Sequence, residues 1–281
     1  LSEAVDAGPY VNQQDDYALG FTAREYQRMV VQSRVWEPST RLALDRVGLT
    51  AGARALDVGC GPGEAMRLMA ERVAATGSVI GMDLDADLGA VTLEALRRRG
   101  PDVYRFVAGD ISQVRSVSGG PFDLVFARLL LFHMHQPAQI LQRLWEWVKP
   151  GGVLLVMDYD TTGIRSLPQH PAIERSLRLI TDAFRRAGRD IEIGSRMPCL
   201  FGEAGVGTPD GCDVTSVILP AAPSTAMLRE LLSSLRPLVL RSRLADVNAL
   251  ENLDRELQVA SATPAFLRWP DMVSTWKHKP A

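Results

Sequence analysis

The stretch Leu56-Asp-Val-Gly-Cys-Gly-Pro-Gly-Glu64 runs a short apolar segment into alternating glycines and then into helical spacing. A strand, a glycine turn and a helix in that order make a device for holding a nucleotide. Glycine lets the backbone approach the ligand, and the helix N-terminus presents unpaired N–H groups. A dinucleotide's pyrophosphate calls for G-x-G-x-x-G, which here would need a glycine at position 64. Glu64 stands there instead, and the third glycine comes one residue early, in Gly59-x-Gly61-x-Gly63. The loop therefore suits a ligand without phosphates, and a nicotinamide-dependent oxidoreductase is disfavoured. Asp83 closes the next apolar run, 20 residues beyond Gly63, where a carboxylate can accept from both hydroxyls of a ribose. Such charge-assisted bonds contribute about 1.5–3 kcal/mol each when buried. Asp110 ends the third run in the same manner, after Gly109.

The elements that must position these groups can be read from periodicity. Residues 1–21 are polar and aperiodic, and Thr22-Ala-Arg-Glu25 reads as a capping box opening a helix that runs to Pro38. A second helix is expected over about 39–47. Strands follow over 55–58, 78–83, 103–107, 122–127 and 153–158, alternating with helices over 64–75, 86–99 and from Pro137 to Lys149-Pro-Gly-Gly152. Pro171 opens another helix. A sixth strand is expected over 213–219, helices over about 224–235 and 244–259, and a terminal strand within 266–277. Strands alternating with helices imply parallel pairing through right-handed crossovers, hence a doubly wound, mostly parallel α/β sheet. The expected division is an N-terminal arm with helices over 1–50 and one α/β domain over 51–281, with helical insertions at about 161–200 and 223–261.

Leu56–Glu64, Gly81-Met-Asp83, Gly109-Asp110, Phe122-Asp-Leu-Val-Phe-Ala-Arg128 and Leu144–Gly152 together resemble the successive motifs of the class I S-adenosylmethionine-dependent methyltransferases. The likeness is to the small-molecule group that includes the ubiquinone and menaquinone C-methylating enzymes, and it covers about residues 50–160. It implies a seven-stranded Rossmann-like methyltransferase fold with S-adenosylmethionine as cofactor. Gly59, Gly61 and Gly63 would pass under the methionine portion, and Asp57 would hold its amino group or else simply cap the turn. Asp83, with Leu84 beside it, would take the ribose. Asp110 would bond the adenine amine, with Ile111 against the ring, and the backbone at Arg128 and Leu129 would meet the methionine ammonium. Arms before the first helix fold over the cofactor in this family. That nominates Tyr17, either packing on the sulfonium or anchoring the arm, and Gln32 near the methionine end.

Absences narrow the acceptor. The residues after the fourth strand, Ala127-Arg-Leu-Leu130, lack the [DNS]-P-P-[YF] pattern of nucleic-acid amino methylation, they hold no Pro-Cys nucleophile of the cytosine C5 type, and no acid pair with a neighbouring Asn marks the Mg²⁺-dependent catechol type. The formal net charge is −2, without the basic footprint of a nucleic-acid binder. Three dispersed cysteines argue for a reducing cytoplasm, and no run approaches a membrane span. What remains is metal-independent methyl transfer by direct displacement to a small, apolar molecule, plausibly a specialised metabolite. A descendant that binds the cofactor but isomerises or cyclises its substrate is an open alternative, as is assembly into a homo-oligomer. Ligands of open α/β sheets lie beyond the carboxyl ends of the strands. This nominates His133 and Asp158, with Tyr159 and Asp160 beside the latter, for acid–base work, the alternatives being a packed helix-start residue for His133 and a hydrogen bond to a neighbouring loop for Asp158. By analogy with resembling enzymes, the leucine-striped C-terminal helices are read as a lid, with a core layer or an oligomer contact as the alternative.

Overall fold

Trp36 has no exposed surface and separates two helices, α1 (Ala23–Val35) and α2 (Glu37–Arg46). Pro38 does not delay α2, as the periodicity suggested, because proline fits a helix's first turn, where its missing N–H is no loss. The computed structural model describes residues 23–281. The polar arm with Tyr17, and Thr22 of the expected capping box, lie outside the described residues.

From Arg54 the chain alternates as expected: β1 (Arg54–Val58), α3 (Glu64–Val73), β2 (Ser78–Asp83), α4 (Ala86–Arg97), β3 (Tyr104–Ala108), β4 (Phe122–Arg128), α5 (Pro137–Trp147) and β5 (Val148–Asp160). Strand β5 starts earlier than expected, at Val148, which pairs with Phe122 before a register shift brings Leu124 opposite Val153. Beyond it come β6 (Arg165–Leu167), α6 (Pro171–Arg186), α7 (Ile193–Glu203), β7 (Gly211–Thr215), β8 (Ile218–Pro220), α8 (Ala221–Arg241), α9 (Val247–Ala260), β9 (Phe266–Arg268) and β10 (Asp271–His278).

The main sheet has seven strands in the order β3-β2-β1-β4-β5-β10-β7. Strands β1 to β5 are parallel, and β10 runs antiparallel between β5 and β7. The order reverses between β1 and β4, which opens a crevice at their carboxyl ends. The chain therefore has the doubly wound fold expected from its sequence.

Two expected strands each divide. The run over 213–219 supplies β7 to the main sheet and β8 to a second sheet of order β6-β9-β8. The terminal run likewise gives β9 to the small sheet and β10 to the large one, breaking at Trp269-Pro270. Proline has no N–H for a ladder, and Trp269 N–H donates across the two breaks to Val217 O at 2.9 Å. Helix α8 is longer than the expected 224–235 and continues through Pro237. It packs against α1, α6 and α9. No helix among the described residues is long and apolar enough to cross a membrane.

The carboxyl end of β5 is held from behind by α7. A Cβ added at Gly194 of α7 would lie 2.8 Å from Asp158 O and 2.9 Å from Tyr159 O. Backbone cannot yield as a side-chain tip does, so Gly194→Ala is expected to destabilise the protein by about 1–3 kcal/mol. Urea denaturation should show a lowered midpoint at unchanged slope.

Candidate active site

The glycine turn after β1 bends the backbone into the left-handed region at all three glycines, with φ of 71° at Gly59, 48° at Gly61 and 72° at Gly63. Their roles differ. Gly59 and Gly61 line a cavity of about 280 Å³ at the crevice. Gly63 does not. A Cβ there would lie 2.5 Å from Thr92 Cγ2, so Gly63 lets α3 start against α4 and supports the turn from behind. This corrects the expectation that all three glycines face the ligand.

Asp83 fastens the turn. Its carboxylate accepts from Gly61 N–H at 2.8 Å and from Asp85 N–H at 3.3 Å while still lining the cavity. Desolvation raises its pKa, and these backbone bonds oppose the rise. Asp57 has no such support: its Oδ2 is buried without a hydrogen-bond partner. Burial pushes the Asp57 pKa up to about 7, Arg128 pulls it down, and the Asp83 charge adds to the rise. Arg128 donates to Thr40 Oγ1 at 2.9 Å and Ser33 Oγ at 3.1 Å, which ties β4 to the helices above it. Leu129 follows with φ 57°, a left-handed conformation in a non-glycine residue, and gives its N–H to Met157 O at 2.8 Å. Strain of this kind costs about 1–3 kcal/mol and clusters at functional sites.

Leu84, Gly109, Asp110 and Ile111 also line the cavity. The Asp110 carboxylate accepts from Ser112 N–H at 2.8 Å, Ser112 Oγ at 2.7 Å and Gln113 Nε2 at 3.1 Å, so it shapes the turn after β3. Helix α1 closes the inner half with Arg28, Met29, Gln32 and Ser33. Arg28 forms a buried ion pair with Glu25, whose carboxylate also accepts from Ser234 Oγ of α8 at 2.8 Å. Arg28 escaped the sequence reading, although it stands one helical turn before Gln32 on the same face.

The acid–base candidates are corrected by their surroundings. Asp158 has no exposed surface and is not part of the cavity lining. Its carboxylate accepts from Phe132 N–H at 3.0 Å and Tyr159 N–H at 2.9 Å, so it fixes the loop after β4 and does not face a ligand. His133 does reach the cavity, from the 3-10 turn Leu131–His133. Burial, then Arg189 and Arg28, hold its pKa down at about 3. A base of that strength is mismatched to neutral pH, where the ring stays neutral. Asp160 accepts from Thr162 N–H and Oγ1 and from Ser195 Oγ, again a loop contact.

The outer half of the cavity is apolar. Phe132 and Met134 come from the loop after β4, Ile164 from beyond β5, Leu177, Ile180 and Phe184 from α6, and Leu228 and Leu231 from α8. Of the C-terminal leucine stripe, Leu228 and Leu231 reach the cavity, whereas Leu232 and Leu235 do not. Tyr159 stands where the two halves meet, between α1 and these side chains.

Residues 56–156 match the family model of the methyltransferase domain. Over these residues the chain is similar to a methyltransferase domain. It is 37% identical over 133 residues to trans-aconitate 2-methyltransferase of Rhizobium leguminosarum, a match covering 47% of this chain and 48% of that one. The chain thus spans about half the length of the curated relatives it matches. Among solved structures, a provisionally assigned methyltransferase of Bacillus halodurans superposes with TM-score 0.60 at 16% identity, over 86% of this chain and 99% of that one. Haemonchus contortus phosphoethanolamine N-methyltransferase 2, solved with phosphomonomethylethanolamine and S-adenosylhomocysteine, gives 0.58 at 17% identity, over 97% and 61%. At these identities the structural likeness concerns the fold.

The support given by Asp158 is testable without a substrate. Asp158→Ala leaves two buried N–H groups without their acceptor, each at a cost of about 1–3 kcal/mol. A clear loss of stability in urea is expected, and unchanged stability would show that the loop holds itself.

Proposed function

We propose that this chain binds S-adenosylmethionine in the inner half of the cavity and transfers its methyl group to a small acceptor with an apolar body in the outer half. The observation that carries the reading is one continuous cavity with a glycine turn and two carboxylates, Asp57 and Asp83, at one end and aliphatic and aromatic side chains at the other. S-adenosylmethionine would supply an electrophilic methyl group on a positively charged sulfonium, together with an α-ammonium and a ribose.

The residues fit such a ligand. Asp57 Oδ2 is a buried acceptor with no donor, and an ammonium would supply one. Asp83 keeps lone pairs for ribose hydroxyls after bonding Gly61 and Asp85. Gly59 and Gly61 leave room for backbone approach, and Asp110 and Ile111 border the place of the base. Direct displacement at a sulfonium needs the acceptor atom in line above all, and holding two reactants so can supply about 7–11 kcal/mol. Leu177, Ile180, Leu228 and Leu231 would hold the acceptor and keep water out. In this reading α6 and α8 are the cover over the acceptor. With His133 neutral and Asp158 turned away, the proposed reaction uses alignment and not a protein base. Among the described residues no three His, Cys, Asp or Glu side chains come together as a metal-ligand set, and the proposed transfer proceeds without metal.

Two outcomes check this. Asp83→Ala should weaken S-adenosylhomocysteine binding in calorimetry by about thirtyfold, the loss of one charge-assisted pair of about 2 kcal/mol. Equal affinity would overturn the site. Binding should also depend on pH through Asp57, whose free-state pKa is near 7. An ammonium partner favours the ionised carboxylate, so binding releases a proton. Affinity should fall about tenfold per pH unit below 7 and level off above it. Asp57→Asn should flatten that profile.

A further inference from the structure

The hydroxyl of Tyr159 has a constrained proton. Arginine can only donate hydrogen bonds, so Arg28 Nη1, 3.2 Å from Gln32 Oε1, fixes which way the Gln32 amide faces. Its Nε2 therefore points at Tyr159 Oη and donates to it at 2.8 Å. The indole of Trp36 is likewise a donor only, and its Nε1 donates to the same oxygen at 2.6 Å. Both acceptor sites of the phenol oxygen are then filled, and its own proton must go in a third direction. No described residue accepts it, while Tyr159 lines the cavity. Burial pushes the Tyr159 pKa up to about 12, so the proton is present at any physiological pH. Bonds donated into an oxygen also polarise its O–H and make it a stronger donor.

Two other hydroxyls border the outer half, and both are committed. Thr161 Oγ1 donates to Ile191 O at 3.0 Å, and Thr181 Oγ1 to Leu177 O at 3.0 Å. The inner half has its own polar groups in Asp57, Asp83 and the glycine turn. Tyr159 is the penultimate residue of β5, and the chain beyond β5 supplies Ile164 and the side chains of α6 to the apolar wall. We propose that the Tyr159 hydroxyl donates a hydrogen bond to an oxygen of the methyl acceptor. The acceptor then pairs its apolar body with a carbonyl or carboxylate oxygen at the end facing the methyl donor. This rests on the preceding reading of the cavity and adds the chemical class of the acceptor. A hydroxyl donor at the edge of an apolar chamber helps fix a ligand's orientation. It also rejects a ligand lacking the oxygen, because the buried proton would be left unpaired.

The test uses the protein saturated with S-adenosylhomocysteine and two probes matched in shape, 4-butylacetophenone and 4-butyl-α-methylstyrene, which differ in C=O against C=CH2. Calorimetry should find the ketone bound roughly tenfold more tightly than the alkene by the unmodified protein. Tyr159→Phe should remove that preference by weakening the ketone alone, with S-adenosylhomocysteine affinity preserved, while the melting temperature falls because Trp36 Nε1–H and the Gln32 amide lose their acceptor. Ile180→Trp, which fills the chamber, should abolish binding of both probes while leaving S-adenosylhomocysteine bound. The proposal is overturned if the unmodified protein binds neither probe or does not discriminate between them. It is equally overturned if Tyr159→Phe weakens both probes alike, if it weakens S-adenosylhomocysteine instead, or if Ile180→Trp still binds the ketone. Failure of the unmodified protein to bind S-adenosylhomocysteine would instead sink the preceding reading.

Discussion

A carboxylate taken out of water must be met by donors or lose its charge, and three aspartates at strand ends impose this constraint on the whole crevice. Asp83 at the end of β2 is met by N–H groups of the glycine turn and of the residues after it. Asp158 near the end of β5 is met by Phe132 N–H of the loop after β4 and by Tyr159 N–H of its own strand. Each thereby fixes the path of a chain segment belonging to a different strand. The third, Asp57, receives no hydrogen bond at one oxygen. Two carboxylates of the same type shape the cavity walls, and the one left incomplete sits where a ligand's cation would complete it.

Helix α1 and Trp36 bind the two halves of this arrangement together. Arg128 reaches up to Ser33 and Thr40, and Tyr159 is held from Gln32 and Trp36. The segment before the first strand is therefore part of the cavity and more than a covering. All four of these contacts join side chains more than 80 residues apart in the chain. Their loss would loosen the site without touching the sheet.

How much of this could be read from the sequence follows from the range of each signal. The strand–turn–helix order and the helix starting at Pro171 depend on local periodicity and turn chemistry, and the structure agrees with them; Gly59, Gly61, Asp83 and Asp110 stand on the wall of the cavity that this order builds. Gly63 was visible as a glycine, but its reason, the nearness of Thr92 on another helix, was not. His133 lies beyond the end of β4 as expected, whereas Asp158, expected after the fifth strand, lies inside β5, which runs on to Asp160. Which way each side chain points is a tertiary matter, and alternation along β5 turns Asp158 away from the cavity and Tyr159 toward it. The division of 213–219 and 266–277 between two sheets had a local marker in Pro270, yet the partner strand β6 lies about a hundred residues from β9, out of reach of any window.

Strand β10 is placed between β5 and β7, hydrogen-bonded to both. β7 precedes it in the chain by two helices and two strands of the small sheet, and pairs with nothing else in the main sheet. The order of assembly is thereby restricted: β5 can complete its parallel side early, but β7 must wait for a segment synthesised after it. Such non-local pairing is slow to form. Until it arrives the apolar side of α7, which packs on both β5 and β10, is half covered. The growing chain can thus build the crevice at the ends of β1 and β4 before the far edge of its sheet is fixed.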